Sequence, residues 1–156
     1  MTLQKKIIKA VLLTGLLAGS LDGLAACIQY KIRTGNNPAR VFRYIASGVF
    51  GKDALTENLY LMAAWGLLFH MLIALLFTIF FFICYPQIRM LIKNKFAAGI
   101  AYGLFVWAIM NLIVVPLTFG TGINILLKNA LIAMGILIIA IGLPVSLMAE
   151  RYYAKK

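Results

Sequence analysis

One acidic side chain lies deep inside a long apolar segment of this sequence. The segment is Ile7–Gln29, and the residue is Asp22. A carboxylate in the middle of a bilayer costs at least about 2–3 kcal/mol of insertion free energy, so it faces a protein interior and is neutralised or paired. Because acidic groups at this depth often mark proton or ion sites, we place Asp22 at the centre of the candidate site.

Two other polar side chains, His70 and Asn111, lie within later apolar segments. At about 1.5 Å per residue, Asp22 and Asn111 are both about 21–23 Å from one end of their helices, and His70 is about 16 Å from the opposite end. We therefore expect Asp22 and Asn111 to meet directly. His70 would lie one turn deeper, within reach through a water molecule or a rotamer change.

Such an Asp–His–Asn cluster could bind a proton or a small ligand. Burial favours the neutral form of a carboxyl group, whereas a neighbouring carboxylate favours the charged form of an imidazole. The alternative is structural, because hydrogen bonds between polar side chains also hold helices together in lipid.

The composition places the chain in a membrane. It is 63% hydrophobic and 12% charged, with a mean hydropathy of +0.97, whereas soluble domains are about 45–50% apolar and about 25% charged. Segments of about 20 apolar residues are long enough to cross a bilayer, and in lipid they must be helical. We predict an all-α, four-helix transmembrane bundle forming one domain, 1–156, with spans at about 7–29, 59–85, 96–117 and 125–149.

Prolines mark the ends or bends of these spans. Pro86 is expected to end the second span at Tyr85, and Pro116 and Pro144 are expected to kink the third and fourth spans.

The basic residues predict an orientation. Lys and Arg number nine on the side of the termini and six on the other side, which favours cytoplasmic N- and C-termini. The net charge of +11 is concentrated at the ends of apolar segments, where it meets anionic lipid head groups. Nucleic acid is therefore not an expected partner.

The loop between the first two spans has helical character. Asn37 and Pro38 resemble a helix start, and Gly51 is suited to ending the helix. We predict a short amphipathic helix at about 38–50 that lies at the membrane surface. Arg40, Arg43 and Ser47 would share the face towards the head groups; an ordered loop is the alternative.

Small residues recur at helical spacing in the first three spans. The glycines concerned are Gly15, Gly19 and Gly23 in the first span, Gly66 in the second, and Gly99 and Gly103 in the third. Such faces let helices approach closely. They are expected to pack the bundle, and they also permit a homo-oligomer or a membrane partner protein.

The sequence offers no cofactor or metal site that we recognise. Its single histidine cannot supply both axial ligands of a bis-His haem, and no combination of Cys, His and carboxylate matches a zinc site. Cys27 and Cys84 are expected at opposite membrane faces as free thiols. The residues before Cys27 resemble the end of a lipoprotein signal, but Asp22 and the polytopic remainder favour a retained first span.

The second and third spans carry a resemblance to a known family. His70 is followed by Tyr85-Pro86, a basic link, the glycine-rich segment Ala97–Gly103, and Pro116-Leu117. This pattern resembles the YagU-like proteins of the bacterial inner membrane, small multi-span proteins without an assigned activity. The resemblance implies a bacterial inner-membrane location and supplies no catalytic residues.

Two functions from different classes follow. The first is proton-linked transport or permeation through Asp22, His70 and Asn111. The second is a non-catalytic helper or scaffold that binds a partner protein or a lipid through the small-residue helix faces. An enzyme is the least favoured reading.

Overall fold

The structure, a computed structural model, describes residues 3–120 and 126–154, with side chains from residue 5 onward. Within these ranges the chain is all-α, and four helices are long and apolar enough to cross a membrane. The predicted start of the fourth span at residue 125, and Lys155 and Lys156, lie outside the described residues. The helices are α1 (Leu3–Thr34), α2 (Ala39–Phe50), α3 (Leu59–Leu91), α4 (Lys95–Phe119) and α5 (Leu127–Tyr153).

Asparagines start three of these helices. The side-chain oxygen of Asn37 accepts the amide of Ala39 at 2.9 Å, and that of Asn58 accepts the amides of Tyr60 and Leu61 at 3.0 and 3.1 Å. Asn94 caps α4 in the same way. These bonds satisfy amide groups that lack partners at a helix start, so the helix boundaries follow from local sequence.

Neighbouring helices run antiparallel, so Lys5, the α3–α4 link and Tyr153 lie at one end of the bundle. We call this end the terminal side and the opposite end, where α2 lies, the loop side. Helix α1 packs against α3 and α5, and α4 packs mainly against α5. Helices α1 and α4 are therefore diagonal to each other and share no extended contact among the described residues.

Two glycine contacts hold these pairs together. A Cβ on Gly19 would lie 2.9 Å from the Met71 sulfur and 3.0 Å from the Ala74 Cβ, so the backbone of α1 lies directly against side chains of α3. On the other side of the bundle, Gly99 of α4 faces the backbone of Gly142 in α5. Close backbone approach of this kind is what small-residue faces provide in lipid.

The loop helix forms as predicted, but its buried face differs from the prediction. Ala46 and Ser47 are buried, and the Ser47 hydroxyl donates to the Tyr44 carbonyl at 2.7 Å. The backbone of Phe42 presses against Gly66 of α3. Contact this close requires small residues on the facing side of α2, so Ser47 points into the bundle and not towards head groups with Arg40.

The prediction that Pro86 ends the second span is wrong, because α3 continues to Leu91. Proline has no amide to donate to the Phe82 carbonyl. The hydroxyl of Tyr153 donates to that carbonyl instead, at 2.8 Å. A side chain from α5 thus replaces the missing backbone bond, which is how proline is tolerated inside a transmembrane helix.

Wide turns precede the two other prolines that lie within the spans. Residues Ile109–Val114 and Ile138–Gly142 are π-helical, and each segment ends two residues before a proline. The Val115 amide donates to the Met110 carbonyl, and the Leu143 amide donates to the Ile138 carbonyl. Each wide turn adds a residue, which leaves both helices continuous through Pro116 and Pro144.

Aromatic side chains fill the bundle between its middle and the terminal side. Phe81, Phe82 and Tyr85 of α3 are almost fully buried, together with Tyr102 and Val106 of α4. The Tyr102 hydroxyl donates to the Phe77 carbonyl at 2.5 Å. We call these five residues the aromatic layer.

Adding one methyl group at Gly66 should loosen α2 from the bundle. In Gly66→Ala the new Cβ would overlap the Phe42 carbonyl, and overpacking of this kind costs about 1–3 kcal/mol. Thermal unfolding in detergent should show a lower Tm. Gly135→Ala is the matched control, because a Cβ there meets nothing within 4 Å; equal effects of the two changes would contradict the packing assigned to α2.

The Tyr153–Phe82 bond can be tested with a double-mutant cycle. Tyr153→Phe should cost about 1 kcal/mol of stability by leaving a carbonyl without a partner. In a Pro86→Ala background, residue 86 regains an amide that can bond the Phe82 carbonyl, so the same change should cost less. Unfolding measurements on the four proteins give the coupling, and a cost that does not depend on Pro86 would refute the replacement.

Candidate functional site

Asp22 lies inside the bundle, in the half nearer the loop side. Thr14 and Ala18, which precede it at intervals of one helical turn, are fully buried. The Asp22 side chain itself is 18% exposed. The sequence positions it because Thr14, Ala18 and Asp22 share one face of α1, next to the glycine face that contacts α3.

His70 of α3 lies beside Asp22. The imidazole Nε2 is 3.9 Å from Asp22 Oδ2, and the histidine side chain is 13% exposed. The same Nε2 lies 2.9 Å from the Gly19 carbonyl oxygen. Because a carbonyl can only accept, Nε2 carries the hydrogen, and the ring is held by a backbone bond while facing the carboxylate.

A glycine on α1 and an aromatic ring on α2 shape the space around this imidazole. A Cβ at Gly23 would lie 3.2 Å from His70 Nε2 and 3.3 Å from the Phe42 ring. Phe42 packs edge-on against His70, with ring centroids 5.7 Å apart. The glycine therefore makes room for the imidazole, and Phe42 covers it from the side of α2.

Asn111 does not join this pair in the structure, contrary to the expected direct contact. Its amide nitrogen donates to the Trp107 carbonyl one turn earlier in its own helix, at 3.0 Å. The reason lies in the helix order: Asp22 is on α1 and Asn111 is on the diagonal helix α4. Equal depth brings two side chains together only on adjacent helices, and the sequence does not state which helices are adjacent.

The Asp22–His70 pair can hold one proton in two ways without changing its net charge. Either the carboxylate faces a protonated imidazole, or a neutral acid faces a neutral ring. Uptake or loss of one further proton creates a net charge at a largely buried position, which is costly. Because Nε2 keeps its hydrogen on the Gly19 carbonyl, the proton that the ring gains or loses is on Nδ1. The 3.9 Å between Nε2 and Asp22 Oδ2 is too long for a direct hydrogen bond, so transfer between the two groups needs a side-chain rotation or a bridging water.

A groove opens next to the pair, towards the outside of the bundle. It has a volume of about 320 Å³, and its lining includes Gly19, Gly23, Phe42 and Met71. The Gly19 carbonyl contacts the His70 ring, and Gly23 leaves room for that ring because it has no Cβ. The pair is thus close to the surface on the side of α2, whereas the aromatic layer separates it from the terminal side.

A second polar cluster, which sequence reasoning missed, lies at the terminal side. The Tyr85 hydroxyl donates to the Glu150 carboxylate, and Arg89 Nη2 is 3.4 Å from Glu150 Oε1. The sequence suggests Tyr85 as an interfacial anchor and places Glu150 just beyond the fourth span. The sequence does contain a signal for this cluster. A basic residue, Arg89, and an acidic residue, Glu150, lie at the ends of the second and fourth spans that face the same side of the membrane.

The predicted head-group residues differ in exposure. Arg40 is exposed and Arg43 is half-buried, and neither forms an ion pair with the acidic residues that the structure describes. Both cysteines are free thiols. Within residues 5–120 and 126–154, no group of three metal-ligating side chains is found.

Comparisons with protein-family models, curated proteins and solved structures find no match for this chain. Inferences about its function therefore depend on its own residues and their geometry.

The stability of the pair should depend on both partners. His70→Ala leaves the Asp22 carboxylate without its partner in a largely buried position, and breaking a buried pair costs about 3–5 kcal/mol. The double change Asp22→Asn with His70→Ala removes the uncompensated charge and should be more stable than His70→Ala alone. Thermal unfolding in one detergent compares the variants; a double variant less stable than His70→Ala would show that the pair does not interact in this way.

Proposed function

We propose that this chain is a small proton-linked transport or permeation protein in which the Asp22–His70 pair binds the proton. The observation that carries the proposal is the 3.9 Å separation of these two side chains, both largely buried within membrane-spanning helices. Ionisable residues inside a membrane are costly, and they are typical of proton relays.

The surroundings of the pair support access from one side at a time. On the loop side one ring, that of Phe42, stands over His70. Towards the terminal side lies the aromatic layer, whose residues are at most 5% exposed. A proton site closed by a thin barrier on one side and a thick barrier on the other suits alternating access.

The helper function is less well supported, because the small-residue faces are already occupied. Gly15, Gly19 and Gly23 face α3, Gly66 faces α2, and Gly99 and Gly103 face α5. A partner that used Gly15, Gly66, Gly99 or Gly103 would have to displace a helix of the same chain, whereas Gly19 and Gly23 also border the groove beside His70. Intramolecular packing therefore explains them without a partner.

We infer that the chain lies in the bacterial inner membrane with both termini in the cytoplasm. The excess of basic residues on the terminal side supports cytoplasmic termini, and the resemblance to YagU-like proteins supports the bacterial inner membrane. Cysteine accessibility from the two sides of an oriented membrane would test the orientation.

Proton flux into proteoliposomes tests the transport proposal. The purified protein is reconstituted with a pH-sensitive dye inside, and a pH gradient is imposed with and without a mixture of small solutes. The wild type should dissipate the gradient faster than protein-free liposomes. Asp22→Asn should lower this flux at least about tenfold, since a side chain positioned as a general acid or base raises the rate of proton transfer about 10²–10⁴-fold.

Asp53→Asn is the matched control, because it makes the same change at an exposed position outside the spans. It should leave the flux at the wild-type level, and His70→Gln should behave like Asp22→Asn. Wild-type flux in Asp22→Asn, or no flux above protein-free liposomes under any solute condition, would reject the proposal.

A further inference from the structure

A long apolar groove runs along the outside of the bundle between α3 and α4. These two helices touch far less than α4 and α5 do, although they are consecutive in the chain. Phe80 and Phe105 stack across the gap, with ring centroids 5.7 Å apart, and divide it into two parts. The part towards the loop side has a volume of about 380 Å³, and the part towards the terminal side has about 300 Å³.

The part towards the terminal side has the length of one lipid chain. It begins at the Phe80–Phe105 stack and ends at Ile92 and Ala98. From Phe80 to Ile92 the helix rises about 18 Å, and the hydrocarbon of one leaflet is about 15 Å thick. The groove therefore extends from the middle of the membrane to its terminal-side surface.

A basic link lies at the end of this groove. Ile92 is followed by Lys93, Asn94 and Lys95, and both lysines are exposed. The acidic residue nearby, Glu150, is already engaged by Arg89 and Tyr85. Together with Asn94, Phe96 and Glu150, the lysines line a hollow of about 460 Å³. Its lining therefore holds two lysines that form no ion pair among the described residues, beside a carboxylate whose charge Arg89 already offsets.

We propose that the α3–α4 groove and this basic link form a binding site for one anionic phospholipid of the terminal-side leaflet. An acyl chain occupies the groove up to the Phe80–Phe105 stack, and Lys93 and Lys95 bind the phosphate. The positive charge of the basic link favours an anionic lipid as the occupant. A second copy of the chain, which carries a net charge of +11, would bring the same basic link to the site. The inference does not depend on the proton pair.

Lipid selection in nanodiscs tests this site. The protein is reconstituted in a one-to-one mixture of phosphatidylglycerol and phosphatidylcholine, and native mass spectrometry counts the lipids that remain bound after release. The wild type should retain phosphatidylglycerol about tenfold over phosphatidylcholine, as expected from two lysines at the membrane surface. Lys93→Gln with Lys95→Gln should remove this preference.

Two matched controls separate the site from general charge and from general bulk. Lys5→Gln with Lys6→Gln removes two exposed charges from the same side away from the groove, and it should keep the preference. Ala101→Trp fills the groove and should reduce retention, whereas Ala97→Trp places the same bulk at an exposed position outside the groove lining and should not.

Equal retention of the two lipids by the wild type would overturn the proposal. So would an equal loss of preference in the Lys5/Lys6 and Lys93/Lys95 variants, or equal retention by the Ala101→Trp and Ala97→Trp variants. Glycerol phosphate is added in a separate arm. If it displaces phosphatidylglycerol, the site binds phosphate without a lipid chain, and the proposal fails.

Discussion

Close approach between helix backbones is the constraint on which the rest of this structure depends. In lipid, apolar side chains gain little by leaving one apolar environment for another, so helices associate where their surfaces fit closely. Gly19 and Gly23 bring α1 against α3, and the same contact brings the Gly19 carbonyl to the His70 ring. The packing that builds the bundle thus also sets the geometry of its buried ionisable pair.

The two polar clusters use different physical means at opposite ends of the bundle. Asp22 and His70 are only 18% and 13% exposed. A change in the protonation of the pair therefore changes its electrostatic energy strongly, because the local dielectric constant is low. Arg89 is 49% exposed and Glu150 is 25% exposed, so water weakens their attraction. The first cluster is suited to binding a proton, whereas the second is suited to holding α3 against α5.

The sequence predicted the architecture well because it is governed by length, hydropathy and local capping. Four spans, the loop helix and the role of the glycines follow from such local rules, and Gly51 ends α2 as expected. What escaped prediction depends on contacts between distant residues. The continuation of α3 past Pro86 needs Tyr153, and the separation of Asn111 from Asp22 depends on which helices are neighbours. The spacing of apolar and polar residues along the sequence reveals neither the Tyr153 bond nor the order of the helices.

The bond between Tyr153 and Phe82 also bears on how the chain is assembled during synthesis. The second span enters the bilayer with one carbonyl that its own backbone cannot satisfy. Its donor belongs to a helix that the ribosome delivers some seventy residues later. Until then, water or the insertion machinery must supply a hydrogen for that oxygen, so docking of the final helix completes the second one and closes the bundle in the same event.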